Sequence, residues 1–209
     1  MNNLILLRHG QSQWNLENRF TGWKDVPLTE KGIQEAKTAG QIMLKNNINI
    51  DFIFSSILQR ANNTAYFAIK EMKFEKLWKQ NKLIMECDSS LNERDYGDLV
   101  GLNKKETANK FGIDQVQIWR RSYDISPPGG ESLKNVVQRV EPFFVKFIEP
   151  LINRDKDVLI VAHGNSLRAT LIKIGLYQEQ EISKIELPTG IPFVINFMSG
   201  KFIDSKFLY

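Results

Sequence analysis

The chain has 209 residues, 42% of them apolar, and a formal net charge of +4 at neutral pH. That content excludes a disordered chain and suits one globular domain, residues 1–209, with a sizeable core. The mild positive balance fits a solvated surface or an anionic small molecule, and no long basic run or nucleic-acid motif supports nucleic acid; no apolar run is long enough for a bilayer, and one cysteine, Cys87, excludes an intramolecular disulfide and a cysteine metal cluster.

In chain order, Met1-Asn2-Asn3 carries no leader features, so a soluble cytoplasmic protein is expected. Leu4-Ile5-Leu6-Leu7 is a branched apolar run that predicts a buried strand, and Arg8, His9 and Gly10 follow at once. Ligands of open α/β sheets bind beyond the carboxyl ends of the strands. His9 is expected there as an imidazole that is nucleophilic near neutral pH. Arg8 supplies a planar cation suited to phosphate, and Gly10 lets the backbone approach a ligand closely.

Residues 11–26 form a polar, aromatic loop of the length that usually serves function. Thr29 caps a helix whose apolar face is Ile33, Ala36, Gly40 and Met43 and which stops at Asn46-Asn47. Residues 52–56 predict a second strand, and Arg60 opens a helix to about Glu71, placed one turn past a strand end where it meets a ligand. A short strand is expected near Leu83-Ile84-Met85, followed by the polar cluster 91–97. Lys104 opens a helix to about Phe111. Arg120 and Arg121 are adjacent and, in a pocket, would clamp a phosphate or carboxylate. Residues 127–130 are a breaker loop within the domain. From Glu131-Ser132 a helix is expected to about Ile152, with Val136, Val140, Phe143, Phe144 and Phe147 on its core face and a kink at Pro142. Residues 167–174 read as a helix, 193–197 as a strand, and 198–201 as a hairpin turn into Phe202.

The opening device recurs. The apolar run 158–162 is followed by His163-Gly164-Asn165-Ser166, so the two histidines of the chain both stand in an apolar-run, His-Gly-x-Ser pattern. Two imidazoles at two strand ends can converge on one pocket. The elements together predict a three-layer α/β/α domain with a mostly parallel central sheet.

The segment from Arg8 to Asn15 resembles the signature of the histidine phosphatase superfamily. Residues 18–23, 91–97, 101–104, 117–121 and 162–168 resemble its 2,3-bisphosphoglycerate-dependent phosphoglycerate mutase branch, and the likeness covers nearly the whole chain. The resemblance implies interconversion of 3-phosphoglycerate and 2-phosphoglycerate through a phosphohistidine, primed by 2,3-bisphosphoglycerate. It implies that His9 is the nucleophile and that Arg8, Arg60 and His163 balance the phosphoryl charge. Glu93 becomes the acid/base for the substrate hydroxyl. Ser12, Asn15, Thr21, Gly22, Gly164 and Asn165 would line the pocket, and Arg94, Tyr96, Lys104, Arg120 and Arg121 would hold the carboxylate and second phosphate. No metal is expected, because two arginines and a histidine can supply the charge. The resemblance implies no membrane or nucleic-acid partner and leaves a homodimer open. A phosphomonoesterase of the same fold is the alternative enzyme, and a non-catalytic phospholigand-binding module the alternative of another class. Three departures from the resembled branch stand out: a short segment 122–130, an end at Tyr209 without an extended tail, and Gln11 where glutamate is common. The first two leave closure of the site and oligomer contacts open.

Overall fold

A computed structural model describes residues 1–209. Its elements in chain order are β1 (Asn2–Arg8), α1 (Gln13–Leu16), α2 (Glu30–Lys45), β2 (Phe52–Ser55), α3 (Gln59–Met72), β3 (Trp78–Lys79), β4 (Lys82–Leu83) and β5 (Glu86–Cys87). Then follow α4 (Lys104–Phe111), α5 (Ile113–Arg121), α6 (Leu133–Phe143), α7 (Glu149–Ile152), β6 (Val158–Ala162), α8 (Gly164–Lys173), β7 (Pro192–Met198) and β8 (Lys201–Phe207).

Six strands form one sheet in the order β5-β2-β6-β1-β7-β8, and β3 pairs with β4 in a separate hairpin. The strands β5, β2, β6 and β1 are parallel to one another, and β7 and β8 continue the sheet antiparallel. The mostly parallel α/β architecture read from the sequence is the one observed.

Residues Leu4 to Leu7 are at most 1% exposed because helices cover both faces of β1. Side chains alternate across a strand. Leu4 and Leu6 join one core with Val136, Val140, Phe143, Leu167 and Leu171 from α6 and α8. Ile5 and Leu7 join the other with Met43, Ala65 and Ile69 from α2 and α3. Each such buried side chain contributes about 1.5–3 kcal/mol, which fixes the strand's position in the centre of the sheet.

Several local expectations shift. The loop after β1 contains the short helix α1, because Ser12 caps it and exchanges hydrogen bonds with Asn15. The strand expected at 83–85 divides. Lys82-Leu83 closes the β3–β4 hairpin, and Glu86-Cys87 alone joins the main sheet beside β2. Glu131 stands outside its helix, since Ser132 is the N-cap. The helix continues past Pro142 through a π turn at Phe144–Ile148 into α7. A proline cannot donate the amide its position requires, and a wider turn is one way to absorb that. The helix after β6 starts at Gly164, three residues earlier than expected, and α5 was not anticipated at all.

Candidate active site

Parallel pairing of β1 with β6 sets Arg8 opposite Ala162. His9 and His163 therefore leave the sheet as neighbours. The His9 amide donates to the Ala162 carbonyl at 3.0 Å, and the two rings lie 4.9 Å apart at 60°. The turn after His9 is pressed against α2. A Cβ at Gly10 would collide with the Gly32 carbonyl, and one at Gly32 with the Gln11 carbonyl, so both close approaches require glycine. The Gly10 amide donates to Thr64 Oγ1 at 3.1 Å and the Gln11 amide to Glu35 Oε2 at 2.7 Å, which ties the turn to α3 and α2.

His9 Nδ1 is 2.7 Å from its neighbour's carbonyl, Gly10 O. A carbonyl only accepts, so Nδ1 carries the proton and Nε2 keeps its lone pair. Burial, then the Arg60 and Arg8 cations, hold this imidazole well below the usual histidine range, against the smaller opposing pull of the Gly10 carbonyl. His9 is thus a neutral imidazole with a free Nε2 lone pair at physiological pH. Arg60, 1% exposed, is fixed by the Lys24 and Gly22 carbonyls, both at 2.9 Å. Burial lowers its pKa to about 10, which leaves it cationic. Arg8 is anchored by the Leu187 carbonyl at 3.0 Å. Arg8 Nε, Arg60 Nε and His163 Nδ1 are buried without a protein partner. Each unmet guanidinium N–H costs about 1–3 kcal/mol until an acceptor meets it, so the two arginines are poised for anionic oxygens.

Glu93 faces this group from the loop after β5. Its Oε1 accepts from the Arg94 amide at 2.7 Å, the Asn165 side chain at 2.8 Å and the Asn165 amide at 3.3 Å. Burial alone would raise this carboxyl. The Arg94 amide, Asn165, Arg8 and Arg60 outweigh it, so Glu93 is held below the usual carboxylate range. Its backbone is braced as well. Arg139 donates to the carbonyls of Ser90, Asn92 and Glu93 at 2.7, 3.1 and 3.0 Å and pairs with Glu131 at 2.8 Å. Glu131 in turn accepts from the Asp95 amide at 2.8 Å.

Beyond the carboxyl ends of β1 and β6 lies a cavity of about 200 Å³. Six cations line it, Arg8, Arg19, Lys104, Arg120, Arg121 and Arg168, against two carboxylates, Glu93 and Glu186. Arg121 is held by Glu186 Oε1 at 2.7 Å and Arg168 by the Ile185 carbonyl at 2.7 Å. Burial brings the Arg168 pKa to about 10, still cationic at neutral pH. No group of three or more His, Cys, Asp and Glu side chains is arranged to hold a metal ion.

The model of the histidine phosphatase superfamily, branch 1, matches residues 4–203. The chain belongs to the histidine phosphatase superfamily. Among curated relatives of this superfamily, the 2,3-bisphosphoglycerate-dependent phosphoglycerate mutase of Bartonella quintana is 49% identical, over 97% of this chain and 96% of that protein. The enzyme of the same name from Mesorhizobium japonicum is 46% identical over 97% and 96%. Of solved structures, a mycobacterial glucosyl-3-phosphoglycerate phosphatase in complex with vanadate superposes with a TM-score of 0.79 at 26% identity, covering 94% of this chain and 93% of that one.

Within this member of the superfamily the sequence-expected residues divide by position. Arg8, Asn15, Thr21, Glu93, Tyr96, Lys104, Arg120, Arg121, Gly164 and Asn165 line the cavity. His9 and His163 are 3% and 0% exposed, and their chain neighbours Arg8 and Gly164 form part of the cavity wall. Ser12, Gly22 and Arg94 stand behind it. Ser12 caps α1 through Asn15, and Gly22 holds Arg60. Arg94, 0% exposed, donates to Tyr96 Oη at 3.1 Å and to the Arg120 carbonyl at 2.7 Å. It braces Tyr96 and Arg120 rather than facing the cavity. Sequence reading missed Arg19, Ser56, Arg139, Arg168 and Glu186 as site residues. Arg19, inside the segment 18–23, and Arg168, four residues after Gly164 and one helical turn on, had a local signal.

No helix is long and apolar enough to cross a membrane.

Proposed function

We propose that this protein interconverts 3-phosphoglycerate and 2-phosphoglycerate through a phosphohistidine on His9, primed by 2,3-bisphosphoglycerate, as a cytoplasmic enzyme. The carrying observation is a second cationic cluster. Lys104 comes from α4, Arg120 and Arg121 from α5, and Arg168 from α8, in addition to the Arg8, Arg60 and His163 group around His9. Transfer to water needs no acceptor clamp. Transfer between two hydroxyls of one glycerate needs the non-reacting end held while the reacting end turns over. The names of the curated relatives support the same reading.

The chemistry closes on the residues present. In the phosphoenzyme, the Glu93 carboxylate takes the proton of the 2-hydroxyl of 3-phosphoglycerate. That oxygen forms a bond to phosphorus as the His9 Nε2–P bond breaks. The resulting 2,3-bisphosphoglycerate then presents its 3-phosphoryl group. His9 Nε2 forms the new bond, the P–O3 bond breaks, and Glu93 returns the proton to O3. Arg8, Arg60 and His163 balance the equatorial oxygen charge, so this scheme routes no step through a metal. The low Glu93 pKa suits the resting carboxylate. Negative charge brought in by the phosphoryl groups works against the same arginines and favours the protonated form when it is needed.

A phosphomonoesterase is the second reading, favoured by the likeness to the mycobacterial phosphatase. The partition between acceptors separates the two. Arg121→Ala removes a charge-assisted bond of about 1.5–3 kcal/mol, so mutase turnover is expected to fall about 10- to 150-fold. Release of inorganic phosphate from 2,3-bisphosphoglycerate should fall far less, because water needs no anchoring. Both products are followed in one reaction for each protein. Equal losses in both would remove Arg121 from the acceptor clamp.

A further inference from the structure

Ser56 follows β2 and is 0% exposed. Its hydroxyl lies 2.7 Å from His163 Nε2 and accepts from the Leu58 amide at 3.2 Å. A buried hydroxyl proton needs an acceptor, and no solvent reaches this one. His163 Nε2 is the acceptor in reach. The neighbouring Ser55 is spent differently, on the Val161 carbonyl at 3.0 Å. His163 Nδ1 meanwhile is buried with no protein partner, on a ring 4.9 Å from that of His9.

We infer that Ser56 is a positioning residue that donates to His163 Nε2 and so fixes His163 as the Nδ1–H tautomer, a neutral hydrogen-bond donor to the phosphoryl group carried by His9. The two histidines then share a tautomer and divide the work. The Gly10 carbonyl holds the His9 proton on Nδ1 and leaves Nε2 as nucleophile. The Ser56 hydroxyl occupies His163 Nε2 and leaves Nδ1–H facing the transferring group. No proton moves from His163 during transfer, so its charge state is the same before and after. Burial, then Arg60, His9, Arg8 and Arg139, hold this imidazole well below its ordinary range, which agrees with a neutral ring. A neutral imidazole has a single N–H, so the tautomer decides whether it can donate toward His9 at all. The opposite tautomer would turn a lone pair toward phosphoryl oxygens.

The inference rests on the proposed phosphohistidine chemistry, and its test separates the two. With two histidines in the chain, protein labelled with 15N-histidine shows four ring nitrogens. Wild type is expected to show His163 with Nδ1 protonated and Nε2 bare across pH 6–8, and the Nδ1–H signal should move downfield on addition of inorganic phosphate. Ser56→Ala should give mixed or reversed tautomers and lower kcat about 10- to 100-fold, the usual cost of losing a group that orients a catalytic ligand, with KM changed less than about threefold. Ser56→Thr, which keeps the hydroxyl, should restore both. His163 protonated on Nε2 in wild type would overturn the inference whether or not the enzyme is a mutase. So would a Ser56→Ala protein with unchanged tautomer and kcat, or a Ser56→Thr protein that folds, keeps the Nδ1–H form and is still as slow as alanine.

Discussion

His9→Ala is expected to abolish phosphoenzyme formation and to lower turnover by about four to six decades, the scale on which enzymes lose rate with their nucleophile. The geometry gives the reason. His9 Nε2 holds a lone pair because Nδ1–H is committed to the Gly10 carbonyl at 2.7 Å. The other histidine cannot substitute, since Ser56 occupies its Nε2. The variant should fold at least as well as wild type. Its removal takes a desolvated imidazole away from two arginines, and active-site residues of this kind commonly cost stability. Incubation with 2,3-bisphosphoglycerate radiolabelled in its phosphoryl groups, followed by acid and alkaline treatment, checks the claim. Wild type should carry an acid-labile, base-stable label. Undiminished labelling of His9→Ala would remove His9 as the phosphoryl carrier.

Glu93→Gln carries the second large effect, a fall in kcat of about two to four decades, the usual contribution of general acid–base catalysis. Glutamine keeps the oxygen that accepts from the Arg94 amide and from Asn165. It removes the proton that must pass from one glycerate hydroxyl to the other. The Arg139 and Glu131 brace acts on backbone around position 93 and is untouched by the change. KM should therefore stay within a few fold while kcat falls. Steady-state kinetics on 3-phosphoglycerate separates the two constants. A variant that keeps kcat and loses affinity would show that Glu93 orients its neighbours rather than handling the proton.

The parts of this fold legible in the sequence are those where side-chain chemistry is periodic or abrupt. The apolar runs of β1 and β6, each ending in His-Gly, marked two strand ends, and their pairing brings His9 and His163 together. What escaped depends on contacts between distant segments. Ser56 and His163 are 107 residues apart, and Arg139 meets Glu93 across 46. A serine after a strand and an arginine on a helix face look ordinary until those elements pack. The sequence predicts a helix from Glu131-Ser132, whereas Ser132 takes the cap and frees Glu131 to pair with Arg139. The resemblance implies Arg94 as a substrate ligand, while burial turns it to the Arg120 carbonyl. Glu186 is invisible as a site residue because an exposed acid has no local pattern, although it holds Arg121 in the cavity wall.

The central claim is that the phosphoryl group on His9 passes to a clamped glycerate rather than to water. The most direct measurement follows 2-phosphoglycerate and inorganic phosphate together in one reaction on 3-phosphoglycerate, with and without added 2,3-bisphosphoglycerate. The expected result is formation of 2-phosphoglycerate that rises on priming and exceeds phosphate release throughout. Phosphate released as fast as, or faster than, 2-phosphoglycerate forms, with no response to priming, would contradict it and assign the site to hydrolysis.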